Sequence, residues 1–380
     1  MPPKNILILF PLEHIAFSPT TLGMYDALAE HANVTIFCPK PSVFKVDNNG
    51  GRNIEYFNLD TNKFRKVKAL PLFILSKLRG RFSGSNNFNR LKIYDFVRYL
   101  AYKKAIKKIS LSTYDEIISV DILMLAIITG MGKKSSFLSL ELNDTEIPIL
   151  KSINAELIKA VIIQTQNRYN HIFGTQQHTT FYVQNAPTFV EIKAASKITN
   201  SIIFNGTATP WFGLYHSVNF IKKYPTYSIT FKGAISETDE QNINLNYSHL
   251  FENDNISFNK KYLESSDMLA FMAQYEIGFC FYDLSYPHMN TYNYKSAPSG
   301  KMFAYLAAGV PVIGNNLEGL NVIEDFEAGI LINNFEPETI LHAITKIKSN
   351  YDFYKQNCIK AAKHYSFDNT VKPFINFLVS

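Results

Sequence analysis

Short apolar runs separated by amphipathic helical stretches recur along almost the whole chain, and few folds accept that pattern. Asn5–Phe10 reads as a buried strand, and Thr20–His31 as a helix with Leu22, Tyr25, Leu28 and Ala29 on one face. Val34–Cys38 is a second strand, ended by Pro39 and Pro41, and Ile54–Leu59 a third beyond the Asn-Asn-Gly-Gly turn at 48–51. Glu116–Val120, Ser136–Leu140 and Ile158–Gln164 continue the series, which loosens through Gln184-Asn185-Ala186-Pro187. It restarts as Ser201–Asn205, Ser228–Lys232, Asn255–Phe258, Ile277–Phe281 and Pro311–Gly314. Strands and helices in alternation predict parallel sheets covered on both faces. The length of 380 residues suits two such α/β domains, with a boundary near residue 190. Pro337–Ser380 reads as helical, with Pro337 in a first turn, Ser366 as an N-cap and a kink at Pro373.

Composition narrows the class. Hydrophobic residues make up 46% and charged residues 18%, enough apolar surface to exclude a disordered chain. Gly 17 and Pro 16 are too few for a fibrous protein. The longest apolar run, around Ile117–Thr129, is interrupted by Asp121 and falls short of a membrane span. The start, Ile6–Phe10 running into Pro11, Glu13 and His14, is not a secretory signal. Cys38, Cys280 and Cys358 are odd in number and lack metal-type spacing, which favours buried thiols in a reducing cytoplasm.

Two doubly wound domains in tandem place ligands at the carboxyl ends of their strands. The segment best equipped for chemistry there is Pro298–Gly314, PSGKMFAYLAAGVPVIG. Pro298 and Ser299 open a helix whose first free N–H groups belong to Gly300, Lys301 and Met302. Gly300 lets an anion approach the backbone, and Lys301 adds a full positive charge, which together form a phosphate seat. The plainer alternative is a capped helix followed by a buried strand.

This segment resembles the donor-binding stretch of GT-B glycosyltransferases, in particular the family 4-like group of bacterial surface-polysaccharide enzymes. The resemblance extends to Ile203–Gly213 (IFNGTATPWFG), similar to the strand and Gly-loop opening a donor domain, and to Ser139–Leu142, the Arg168 helix and Gln184–Pro187. It implies an acceptor-binding Rossmann-like domain over 1–190, a nucleotide-sugar donor domain over 191–365, and a helix at 366–380 crossing back to the first domain. It also implies donor contacts at Gly206, Thr207, Lys232, Ser299, Gly300 and Lys301.

The departures are specific. Retaining members of the group carry two glutamates eight positions apart, where this chain has Ser296 and Ala304. The loop at 206–213 offers Thr207 and Phe212 in place of basic residues, so Lys301 and Lys295 must neutralise the diphosphate. Retention and inversion both stay open. His14, in a loop resembling that of inverting GT-B enzymes, offers an imidazole, a side chain suited to general-base work, or is a loop histidine bonded to backbone. Glu141, ending an apolar strand, is the first carboxylate candidate for deprotonating the acceptor. Asp144 is a second, with helix capping as its alternative.

Tyr282–Lys295 (YDLSYPHMNTYNYK) reads either as the donor's base or sugar pocket, with Tyr282 and Lys295 as ligands, or as a surface excursion. Residues 63–108 carry 14 Lys or Arg against one acid, Asp95, a local charge of +13 that leaves −7 for the rest of a +6 chain. Within this arm Lys66, Lys68, Lys77, Arg79, Arg81 and Arg98 are the candidates for an anionic membrane or acceptor surface. A solvated helix with an apolar core face is the bland reading, and nucleic acid ranks lower because no binding motif accompanies the charge. The sequence thus predicts a metal-independent, cytoplasmic glycosyltransferase peripheral to the inner face of a bacterial membrane. Its donor would be a UDP or GDP sugar, its acceptor a saccharide or lipid-linked hydroxyl, and it needs no cofactor. A sugar-nucleotide epimerase of the same fold and a non-catalytic nucleotide-sugar-binding subunit are the rivals.

Overall fold

A computed structural model describes residues 2–41, 50–59, 71, 74, 93–142, 146–150, 153–192, 196–263 and 265–380. The chain divides into two compact units, Met1–Gln184 with Thr370–Ser380, and Asn185–Asn369.

The first unit is built on β1 (Asn5–Leu9), β2 (Asn33–Pro39), β3 (Ile54–Phe57), β4 (Glu116–Val120), β5 (Ser135–Leu138), β6 (Ile158–Ile163) and β7 (Thr180–Tyr182). Their order is β3-β2-β1-β4-β5-β6-β7, every pairing parallel. Central β1 is fully buried from Ile6 to Leu9, as a strand covered on both faces must be. Ile8 pairs with Ile36 on one side and Ile118 on the other. Leu7 and Leu9 pack with Tyr102 and Ile106 of the helix Ile93–Ile106 and with Met124, Ile127 and Ile128 of the helix Asp121–Thr129. The closing helix Phe367–Val379 continues through Pro373 and sets Phe374 at 5.5 Å and Phe377 at 5.2 Å from Phe181 of β7.

The second unit repeats the plan with β8 (Ser201–Asn205), β9 (Ser228–Lys232), β10 (Ile256–Asn259), β11 (Ile277–Cys280), β12 (Val312–Asn315) and β13 (Gly329–Ile332), ordered β10-β9-β8-β11-β12-β13. One core lies between this sheet and the helices Leu214–Lys223 and Pro337–Ser349; the other lies under the helices Gly300–Ala307 and Tyr351–Tyr365. The helix Gly300–Ala307 sits close because β11 carries Gly278, where an added Cβ would lie 2.6 Å from the Tyr305 ring. Buried Tyr305 uses that closeness to accept from Asn205 N (2.6 Å) and donate to Phe279 O (3.1 Å), tying β8 to β11.

The order in which strands are added reverses once in each sheet, between β1 and β4 in the first and between β8 and β11 in the second. Such switch points open a crevice beyond the strands' carboxyl ends. The eleven strands read from sequence lie within two residues of their observed bounds, and β7 and β13 are additions. Both are edge strands, three and four residues long and partly exposed, so they lack the buried run that marks a central strand. No helix among the described residues is long and apolar enough to cross a membrane.

Candidate functional site

At the second switch point the helix Gly300–Ala307 begins where the sequence placed it. The Lys301 stem passes beside Gly206, which follows β8 at φ +103° and leaves 3.5 Å between its missing Cβ and the lysine methylenes. The Lys301 ammonium is buried, and among the described residues it has no hydrogen-bond partner. Three aromatic rings surround it instead: Phe212 at 4.0 Å, Phe204 at 5.0 Å and Tyr282 at 5.2 Å. Desolvated cation–π contacts contribute about 2 kcal/mol, while an uncompensated buried ion costs several kcal/mol. The deficit appears in titration, since burial pulls the Lys301 pKa down to about 8. An ammonium held in this way is short of an anion.

The walls are themselves fixed. Tyr282 donates its hydroxyl to Ser299 Oγ at 2.7 Å, and its backbone N–H and carbonyl are matched by the Asn315 side chain at 2.9 and 3.0 Å. Buried Ser299 thus braces Tyr282, and its hydroxyl also accepts from Cys280 Sγ at 3.4 Å. Phe212 meets Tyr282 edge-on at 5.4 Å. Phe212 stands where the family pattern puts a basic residue, and the structure makes it a wall of the lysine's cage.

Other expected donor residues are arranged differently. Lys232 is buried at the end of β9 and donates to Asn259 Oδ1 (3.1 Å) and to Lys261 O, so its charge is internally engaged. Burial and the nearby Lys261 lower its pKa. Thr207 and Lys295 are exposed. Ser296, at one of the two glutamate positions, is buried with its hydroxyl on Tyr292 O at 2.7 Å, and Ala304 is half-buried.

Sequence reasoning missed a second group beyond β11. His216 Nε2 meets Asp283 Oδ2 at 2.8 Å, and its ring stacks on Phe335 at 4.3 Å. Burial pushes the Asp283 carboxyl up, but hydrogen bonds from Ser285 and His216 outweigh it and hold the pKa below its ordinary value. Asp283 N donates to Trp211 O at 2.8 Å, and the Trp211 ring lies 4.9 Å from His288. An isolated Trp and a scattered Asp carried no motif to find them by.

At the first switch point His14 and Glu141 are both exposed, while Asp144 lies outside the described residues. The residue that stands out is Asp121, immediately after β4. Its φ is +60°, and its Oδ1 accepts from Leu140 N at 3.0 Å and Glu141 N at 3.1 Å. Burial drives its pKa up to about 7 against the lowering effect of those two bonds, with Glu141 and Glu146 adding repulsion. These bonds also explain why β5 stops at Leu138, two residues before the expected end: the next free N–H groups turn to Asp121. The cost of an acid after an apolar strand, argued above for Glu141, belongs to Asp121.

Fully buried Arg168 donates to Leu140 O at 3.2 Å. In the basic arm, Arg98 is half-buried and donates to Tyr102 Oη (2.9 Å) and Pro11 O (3.4 Å), while Lys104, Lys107 and Lys108 are exposed. Lys66, Lys68, Lys77, Arg79 and Arg81 lie outside the described residues. Among the described residues no three His, Cys, Asp or Glu side chains are grouped as metal ligands.

No protein-family model matches the chain, and no curated protein matches its sequence. Solved structures do match. Anabaena HepE in complex with UDP and glucose aligns with a TM-score of 0.65 at 12% identity, over 99% of this chain and 100% of that one. The UDP-forming alpha,alpha-trehalose-phosphate synthase of Burkholderia xenovorans, in complex with glucose-6-phosphate, gives 0.63 at 11% identity, over 99% and 100%. The N-terminal domain of Candida albicans trehalose-6-phosphate phosphatase gives 0.63 at 12%, over 99% and 96%. At this level of identity the likeness establishes architecture: the chain has the two-domain, Rossmann-like GT-B fold.

Proposed function

We propose that the protein is a glycosyltransferase that moves a sugar from a UDP- or GDP-type donor to a hydroxyl of a saccharide or lipid-linked acceptor. The observation that carries this reading is the Lys301 ammonium, buried among three rings at the switch point of the second sheet without an anionic partner. A nucleoside diphosphate supplies the missing charge, and the N–H groups of Gly300, Lys301 and Met302 add donors at the same helix start. As the bond between the anomeric carbon and the diphosphate oxygen breaks, negative charge grows on the leaving group beside a cation already stripped of water. Electrostatic stabilisation is strongest in such surroundings. Lysine and backbone amides are the groups assigned to that charge, with no metal ion.

Tyr282 and the 283–295 loop form the donor's base or sugar pocket in this reading. Deprotonation of the acceptor falls to the first unit, with Glu141 as base and His14 or Asp144 in support. Two neighbours of the same fold carry UDP with glucose and glucose-6-phosphate according to their descriptions, which supports a sugar-nucleotide reading for this chain. The basic arm extends the proposal to an anionic membrane surface near the acceptor, with exposed Lys104, Lys107 and Lys108 as described members.

The test is a panel of nucleotides and nucleotide sugars in thermal shift, followed by transfer assays with the best donor. A stabilising nucleotide and transfer of its sugar are expected. Stabilisation without transfer or hydrolysis favours a binding subunit, whose motive is the Ser296 and Ala304 pair. Conversion of the donor to its epimer favours the epimerase. Flotation with anionic vesicles at low salt tests the membrane surface separately, and failure to float points to a soluble acceptor.

A further inference from the structure

Asp121 combines two features that neither the fold nor the proposed donor chemistry requires. It is one of four non-glycine residues among those described with positive φ, and at +60° it stands at the elbow where β4 becomes the helix Asp121–Thr129. A positive φ at a non-glycine residue is unfavourable and persists where the surroundings require the side chain to be there. The side chain's destination is clear: one carboxyl oxygen receives both N–H groups of the turn that follows β5.

That turn is held from its other side as well. The Leu140 carbonyl accepts from Arg168 at 3.2 Å and from Gln164 Nε2 at 3.3 Å, and Gln164 also donates to Ser139 O at 2.9 Å. Leu140 is therefore gripped through its N–H and its carbonyl, and Glu141, the next residue, is presented to solvent from a fixed backbone. Glu141 is the proposed base, so its placement depends on this clamp.

We infer that Asp121 is a positioning residue that latches the Leu140–Glu141 turn for acceptor activation, and that the latch tightens when Asp121 ionises. A carboxylate makes stronger bonds to N–H groups than a neutral acid does. The charged groups that face it are Glu141 and Glu146, both repulsive, and Arg168 donates to the Leu140 carbonyl of the same turn. With its pKa pushed up to about 7 by burial, Asp121 changes charge near neutrality, so the grip is stronger above that pH and weaker below it.

The inference rests on the glycosyltransferase reading, so its test needs one readout that does not. Amide hydrogen exchange of Leu140 and Glu141 measures the latch directly. D121A is expected to lower protection of both amides at least tenfold, and D121N, whose amide oxygen still accepts, to keep most of it. In transfer assays the wild-type kcat is expected to rise through an inflection near pH 7. D121N should lose that inflection while keeping a larger share of turnover than D121A, and D121A should fall roughly 10- to 100-fold with UDP affinity unchanged. Full protection in D121A, or an intact inflection in D121N, overturns the inference. A wild-type chain that protects both amides yet transfers no sugar sinks the glycosyltransferase reading, and the positioning role goes with it.

Discussion

The two units solve one structural problem with opposite charges. In each sheet the fourth strand in chain order leads to the helix that crosses to the fifth, and each of these helices opens with a half-buried ionisable residue. In the first unit it is Asp121, raised to about 7; in the second it is Lys301, lowered to about 8. Burial is the leading cause of both shifts, and it works against the charged form each time. The difference lies in the partners. Asp121 receives two backbone N–H groups and so organises its own chain, whereas the Lys301 ammonium has only ring faces among the described residues. The Asp121 carboxylate is matched by its own backbone, and the Lys301 ammonium is matched by no anion among the described residues.

The largest expected effect breaks the second half of that contrast. Substituting Lys301 by Ala removes the cation at the seat, and transition-state stabilisers of this kind contribute about 2.7–4 kcal/mol. A rise in donor KM and a combined loss of about 100- to 1,000-fold in kcat/KM are expected, read from initial rates at varied donor. Unchanged kinetics reject the assigned role.

Stability against pH sharpens the comparison, because the two groups must respond in opposite directions. Lys301 has a folded pKa below its ordinary 10.5, so the cost of burying its charge is fully present below about pH 8 and fades as pH rises toward 10.5. K301M should therefore exceed the wild type by roughly 1–3 kcal/mol at pH 7, with the gap closing at alkaline pH. Asp121 has a folded pKa above its ordinary 3.8, so its cost is absent below that value and grows to a plateau above about pH 7. D121N, whose Asn also tolerates positive φ, should gain on the wild type as pH rises from 4 to 8. Denaturant midpoints from pH 4 to 8 for D121N and from pH 8 to 10.5 for K301M check the two slopes, and slopes of the same sign would remove the opposition.

A smaller effect tests the cage. Phe212→Leu keeps an apolar wall but removes the nearest ring face, 4.0 Å from the ammonium. Donor affinity is expected to weaken by about tenfold or less, with kcat little changed, as calorimetry and rates together will show.

The contrast also marks what the residues disclosed before the coordinates did. Buried strands such as β1 and β8 were legible because both their faces are covered, which leaves an uninterrupted apolar run. The Lys301 seat was legible because glycine and lysine at a helix start need no distant residue to make sense. The cage was not, since Phe204 and Phe212 of the Ile203–Gly213 stretch meet Tyr282, about seventy residues on, only because the sheet order sets β8 beside β11. Asp121 was visible as the break in an apolar run and its meaning was missed. What reveals it is a backbone angle and two bonds to a turn 19 and 20 residues on, neither of which leaves a local pattern. Lys232 shows the reverse error, for a lysine at a strand end looked like a ligand until Asn259 and Lys261 proved to hold it.

The most direct measurement is proton uptake on nucleotide binding, obtained by titrating UDP or GDP calorimetrically at pH 8 in buffers of different ionisation enthalpy. Diphosphate against the Lys301 ammonium must raise its pKa, so the wild type should take up about half a proton per nucleotide more than K301M. Equal uptake and equal affinity in the two proteins would place the anion elsewhere and contradict the account.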